Sequence, residues 1–177
     1  MTIQARQQRG FNIVELLIVV VIIAILAAIT IVAYNGIQTR ARNSQTTAAV
    51  SAYIKAIGMY AVDNSSYPTQ TSACLGTGYE YQGMIGRCGG AASINENSAF
   101  NTALAPYISS KPQPSTKNLT ISMGSVRAGA YYDFLSPNMA RIYYILEGQS
   151  DACLSGDTRS ATAGAPDMYC THMFPAL

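Results

Sequence analysis

Arg9-Gly10-Phe11-Asn12-Ile13-Val14-Glu15-Leu16-Leu17 opens an apolar run that continues to Ala33. No side chain from Leu16 to Ile29 is polar, and Thr30 is the single interruption before Ala33. From Phe11 to Tyr34 the run has about the 20 residues that cross a hydrocarbon core of roughly 30 Å. Glu15 is the anomaly within it. On insertion scales an acidic residue at a helix centre costs roughly 2.5–3.5 kcal/mol, so such a residue requires a partner.

Ahead of the run lies a leader, Met1 to Gly10, carrying Arg6 and Arg9 and no acid. A basic leader followed by an apolar stretch also describes a cleaved secretory signal, and Ala28-Ile29-Thr30 would serve as its cleavage site. That reading gives Glu15 no purpose and needs a shorter apolar core. An uncleaved signal anchor is the second alternative, which periodicity leaves open. Charge does not orient the segment, because Arg6 and Arg9 on one flank are balanced by Arg40 and Arg42 on the other.

Beyond Gly36 the apolar monotony gives way to amphipathic spacing. Val50, Tyr53, Ile54, Ile57 and Ala61 form one helical stripe, with Arg40, Arg42, Gln45 and Lys55 on other faces. Asp63-Asn64-Ser65-Ser66-Tyr67-Pro68 is turn chemistry and ends the helix. A single helix from Phe11 to Asp63 would be about 80 Å long at 1.5 Å per residue. Residues 64–177 have ordinary single-domain size. Ser93-Ile94-Asn95-Glu96 has capping-box spacing and, with Phe100 and Leu104 four apart, predicts a short helix before Pro106. Leu119–Met123, Ala130–Leu135 and Arg141–Leu146 read as three antiparallel strands laid against the long helix. The expected class is α+β: a leader (1–10), an apolar helix (11–34), its amphipathic continuation (35–63) and a small antiparallel β-sheet head (64–177).

The four cysteines, Cys74, Cys88, Cys153 and Cys170, suit an exporting compartment and two disulfides, for which three connectivities exist. The pairing Cys74–Cys88 with Cys153–Cys170 is favoured because each bridge closes a short loop, worth about 3 kcal/mol in the chain-entropy model. Zinc is disfavoured: the cysteine spacings lack a C-x-x-C pattern and His172 is the sole histidine. Asp151, Asp157 and Asp167 lack the EF-hand spacing of a calcium loop and read as loop acids. Most of the twelve tyrosines are expected in strands and core rather than on a sugar-stacking surface.

Without Arg6 and Arg9, the eleven basic residues become nine against nine acidic ones, with no basic cluster. Strong nucleic-acid binding by a single subunit is therefore not expected, although an array of copies could align Arg40 and Arg42 or Lys111 and Lys117. No nucleophile–base pair, paired carboxylates or phosphate loop can be assembled, so neither an enzyme activity nor a cofactor is expected.

A basic leader ending in Gly10, then Phe11, then Glu15 within an unbroken Ile/Leu/Val/Ala helix resembles the N-terminus of type IV pilins and pseudopilins, over roughly residues 5–40. The resemblance implies a pilin-like fold. It also implies cleavage between Gly10 and Phe11 by a prepilin peptidase, with N-methylation of the new Phe11 amine. Glu15 would then meet the Phe11 amine of a neighbouring subunit in a helical homo-oligomer extruded by pilus assembly machinery. Two unit charges 4 Å apart attract by about 4 kcal/mol at an effective dielectric of 20, the same order as the burial cost. An intrachain Phe11–Glu15 pair is the competing arrangement, since i and i+4 share a helix face.

Family members often carry glycine where Ala24 stands and proline where Val32 stands, so helix melting in a fibre is in question. Asn12 occupies a position where threonine is common. The expected role is that of a pilus subunit, a major pilin serving adhesion or twitching motility. The subunit would be a single-pass protein of the cytoplasmic membrane before assembly and part of an extracellular filament afterwards. The alternatives are a pseudopilin or minor pilin of a secretion or DNA-uptake machine, and a membrane-anchored extracytoplasmic binding domain that never polymerises.

Overall fold

A computed structural model of the chain describes residues 12–89, 94–122, 125–149, 153–160 and 164–177. Helix α1 (Ile13–Asn64) runs for 52 residues. Aliphatic residues with no proline propagate it, and Ala24 and Val32 leave no breaker in its first half. Helical structure also passes through Asn35-Gly36. Thr30 keeps its hydroxyl bonded to the carbonyls of Leu26 (3.0 Å) and Ala27 (2.9 Å), which lets a polar side chain sit in an apolar turn. At the far end Asn64 Nδ2 donates to the Tyr60 carbonyl at 2.9 Å. Ser65 then takes a left-handed conformation (φ 51°), and the helix stops.

The chain forms two compact units, residues 1–38 and 39–177. In the first, the large aliphatics from Ile13 to Ile31 are all exposed. Among the described residues, α1 is the one helix long and apolar enough to cross a membrane.

The second unit is an antiparallel sheet packed on the α1 stripe. Its five strands are β1 (Ala73–Cys74), β6 (Ala130–Ser136), β7 (Met139–Leu146), β8 (Thr158–Ser160) and β9 (Met168–Met173), in the order β1-β6-β7-β9-β8. Two short ribbons lie outside it: β2 (Glu80–Tyr81) with β3 (Met84–Ile85), and β4 (Asn118–Ser122) with β5 (Ser125–Ala128). Alternation along the strands separates two faces. Tyr132, Ile142, Tyr144 and Cys170 join Val50, Tyr53 and Ile57 of α1, with Phe100 and Leu104 of helix α2 (Ser98–Leu104), in the main core. Tyr131 on the opposite face joins Cys74, Tyr79, Cys88, Ile94 and Ala128 in a smaller cluster that Tyr143 and Tyr169 border.

Three sequence expectations need correction. Leu119 and Ile121 lie on β4, but that strand pairs with β5 in its own ribbon instead of joining β6 and β7. Its partner β5 lies close along the chain, so the pairing closes only a short loop; Met123 lies outside the described residues. The sheet instead recruits β9, which pairs with β7 from Arg141↔Met173 to Leu146↔Met168. The capping box also shifts. Ser93 lies outside the described residues, and α2 is capped by Asn97, whose Oδ1 accepts from the Phe100 amide at 3.0 Å. Glu96 is used elsewhere, accepting the Tyr79 amide at 3.2 Å.

Candidate assembly site

Gly10 and Phe11, the expected processing residues, lie outside the described residues. The site becomes visible at Asn12. Its side-chain Oδ1 accepts the Val14 amide at 3.2 Å, and its own amide donates to Glu15 Oε2 at 3.2 Å. The Asn12 carbonyl accepts the Glu15 amide at 3.0 Å. Cap and carboxylate thus satisfy amides at the helix start reciprocally, with an acid placed at the positive end of the helix dipole. Asn12 is therefore more than a stand-in for threonine. Its signal was legible as Asn-x-x-Glu immediately before an apolar run.

The surroundings of Glu15 are apolar and open. The fourteen large aliphatic side chains from Ile13 to Ile31 are 47% to 78% exposed. Fully burying such a side chain is worth about 1.5–3 kcal/mol, so covering what remains open gains on the order of 10–20 kcal/mol. That rivals the whole stability of a small domain, roughly 5–15 kcal/mol. Such a surface requires lipid or other apolar helices. Within it, Glu15 accepts one hydrogen bond from Asn12 among the described residues, and a carboxylate has further acceptor capacity for a cation.

In the second unit, polar side chains extend the buried stripe of α1 towards its N-terminal side. Asn43 (5% exposed) and Thr46 (1%) continue the spacing of Val50, Tyr53 and Ile57. Asn43 brackets the backbone of Glu147, donating to its carbonyl at 3.0 Å and accepting its amide at 2.8 Å. Thr46 Oγ1 accepts the Ser115 amide at 3.1 Å. Sequence reasoning missed both because a buried amide and hydroxyl look like surface residues until their backbone partners are known. Arg42 and Lys117 converge on the Glu147 carboxylate, Arg42 Nη2 at 2.7 Å. Burial pushes the Glu147 carboxyl upward, but the hydrogen bonds and charges of Lys117 and Arg42 outweigh it and hold the group below its ordinary range.

The cysteines pair as Cys74–Cys88 and Cys153–Cys170, with Cα atoms 5.9 and 5.8 Å apart, so all four sulfurs are engaged. Beside the second bridge, Asp157 is held by His172 Nδ1 at 2.6 Å and by the Tyr144 hydroxyl at 2.7 Å. Asp167 accepts the amides of Thr120 (2.8 Å) and Gly148 (2.9 Å). These two acids tie loops to the sheet; Asp151 lies outside the described residues. The tyrosines largely follow the packing expectation. Tyr53, Tyr67, Tyr79, Tyr132 and Tyr144 are fully buried, and Tyr143 stacks on Tyr169 at 5.0 Å.

A family model described as the prokaryotic N-terminal methylation motif matches residues 5–31. The type IV wide pilus major component PilA4 of Thermus thermophilus is 40% identical over 73 residues, covering 41% of this chain and 56% of that protein. Type II secretion system core protein G of Aeromonas hydrophila is 35% identical over 66 residues, covering 37% and 46%. Its counterpart in Escherichia coli is 35% identical over 63 residues, covering 36% and 43%. The chain spans about half the length of the curated relatives it matches. No solved structure matches it. The methylation motif lies over the Gly10–Glu15 stretch, and over its N-terminal portion the chain is similar to both a type IV pilus component and type II secretion core proteins.

Proposed function

We propose that this chain is the major structural subunit of a type IV pilus-like surface filament serving adhesion or twitching motility. The observation that carries this reading is a carboxylate held in the first turn of a helix whose large aliphatic side chains are open on every side. A prepilin peptidase removes residues 1–10, and the exposed Phe11 amine is methylated and stays cationic. Residues 11–34 hold the subunit in the cytoplasmic membrane until assembly. The amphipathic continuation (35–63) and the head (64–177) stay outside. On assembly Glu15 exchanges its hydrogen bond from Asn12 for the Phe11 amine of a neighbouring copy. The pair offsets its own burial and fixes axial register, because any other register leaves a buried unpaired charge. Lipid is then replaced by the apolar helices of other copies.

Mass spectrometry of the mature N-terminus, with electron microscopy of surface-sheared material, tests this. The expected result is a chain beginning at methylated Phe11 in abundant fibres. A start near Thr30 or an intact Met1 overturns it.

The second reading is a pseudopilin or minor pilin, favoured by the matches to type II secretion core protein G. Correct processing without abundant surface fibres selects it. An anchored binding domain of another class predicts neither processing at Phe11 nor fibres.

A further inference from the structure

Among the described residues of the second unit, two of the exposed apolar patches stand out. One is the tip of the β2–β3 ribbon, where Ile85 is 87% exposed and Met84 39%. The tip is rigid. Gln82 (φ 49°) and Gly83 (φ 77°) make a tight two-residue turn, the Gly86 amide donates to the Tyr79 carbonyl at 2.7 Å, and the Cys74–Cys88 bridge anchors the base. Glu80 lies directly across from Ile85, and Arg87 follows two residues later with its Nε on Asn95 Oδ1 at 3.1 Å.

The other feature is a groove of about 670 Å³ lined by Lys55, Gly58, Met59, Val62, Asp63 and Tyr107. Val62 is 78% and Met59 47% exposed, and a Cβ on Gly58 would meet nothing within 4 Å, so the groove floor is open. Its wall is fixed, because the Tyr107 hydroxyl donates to Asp63 Oδ2 at 3.0 Å and the Tyr107 ring packs edge-on against Tyr60. A cation, Lys55, stands at one end and an anion, Asp63, at the other, about 12 Å apart along the helix.

Knob and groove complement each other in shape class and in charge order. The knob carries Glu80 and Arg87 around Ile85, and the groove carries Lys55 and Asp63 around Met59 and Val62. Within one chain both stay open, with Ile85 87% and Val62 78% exposed. The ribbon follows Tyr79 on the sheet face that carries Tyr131, whereas α1 packs on the face that carries Tyr132 and Ile142. Two complementary, non-overlapping patches on one molecule make a heterologous contact, which propagates into open helical polymers unless the rotation closes a ring.

We propose that adjacent subunits join head to tail through this pair, with the Ile85 tip of one copy seated in the Met59–Val62–Tyr107 groove of the next. Glu80 meets Lys55 and Arg87 meets Asp63. The inference rests on the filament reading and adds to it the contact between heads. Charge at the groove ends orients the knob and rejects the reversed approach.

The test is a disulfide trap in full-length chain expressed in its own host. Ile85→Cys and Val62→Cys in one chain are expected to give a ladder of covalent multimers from sheared filaments without reductant. The two single variants expressed together are expected to stop at dimers, and each alone at monomers. In parallel, Lys55→Glu is expected to lower filament yield about fivefold, with Glu80→Lys in the same chain restoring it. Wild-type-like filaments that give no ladder, or a charge swap without rescue, overturn the contact and leave the filament reading standing. Absence of filaments from the unaltered chain overturns both.

Discussion

From Ile13 to Ile31, helix α1 carries large aliphatic side chains that are 47–78% exposed, with no preferred face. From Asn43 to Ala61 the same helix hides a single stripe: Asn43, Thr46, Val50, Tyr53, Ile57 and Ala61 are all 5% exposed or less. Two segments of one regular element thus solve opposite problems. The first is apolar all round and gains by meeting lipid or like helices, where a misplaced charge is heavily penalised. The second keeps polar residues on its outer faces and commits its stripe to one sheet, with Asn43 and Thr46 hydrogen-bonded to the backbone of Glu147 and Ser115. Helix propensity is similar in both halves. The difference is the solvent each half is written for.

That contrast can be broken at either end. The largest expected effect comes from Glu15→Val, which removes the charge while keeping the apolar surface. Filament yield in sheared fractions should fall by an order of magnitude or more while the processed chain still accumulates in the membrane. Unchanged yield would deny Glu15 its assembly role. In the second half, Ile57→Ala opens a cavity beneath fully buried neighbours and should cost about 2–5 kcal/mol. Denaturant unfolding of detergent-solubilised chain measures this, and a loss below about 0.5 kcal/mol would mean the stripe is not packed as described. Val20→Ala in the first half should leave the same transition unmoved.

Removing the Cys153–Cys170 bridge by a double serine substitution should cost about 3 kcal/mol, since it closes a loop of similar length to the Cys74–Cys88 one. The smallest effect is at Glu147. Its folded carboxyl lies below the ordinary 4.5, so its contribution is complete above that value and is lost as pH falls through the folded value. Partly exposed pairs of this kind contribute about 0–1 kcal/mol. Glu147→Gln should therefore cost no more than about 1 kcal/mol at neutral pH and flatten the acid limb of the stability profile. An unaltered acid limb would show that other carboxylates govern it.

Reading the chain residue by residue located some of this and missed the rest for definable reasons. The apolar run, the acid at its start, the Val50–Ala61 stripe and the stop after Asp63 are all local patterns with a fixed period. Asn12 was equally local, its cap written in Asn-x-x-Glu, but the identity of the neighbouring Glu15 drew the reading towards an intermolecular partner. Strand β9 was less legible because Met168–Met173 mixes a cysteine and a histidine into a half-buried alternation. The β4–β5 ribbon was assigned to the wrong neighbour, since alternation identifies a strand without naming its pair.

The sequence by itself determined where the apolar helix lies, that a carboxylate opens it, and that four cysteines accompany a modest α+β head. These follow from composition and period, which are properties of a chain before it folds. Tertiary structure alone decided the strand order β1-β6-β7-β9-β8, the convergence of Arg42 and Lys117 on Glu147, and which apolar side chains, Ile85 and Val62 among them, stay open. The physical reason is that each of these depends on residues far apart in sequence becoming neighbours, and no local propensity encodes who the neighbour will be.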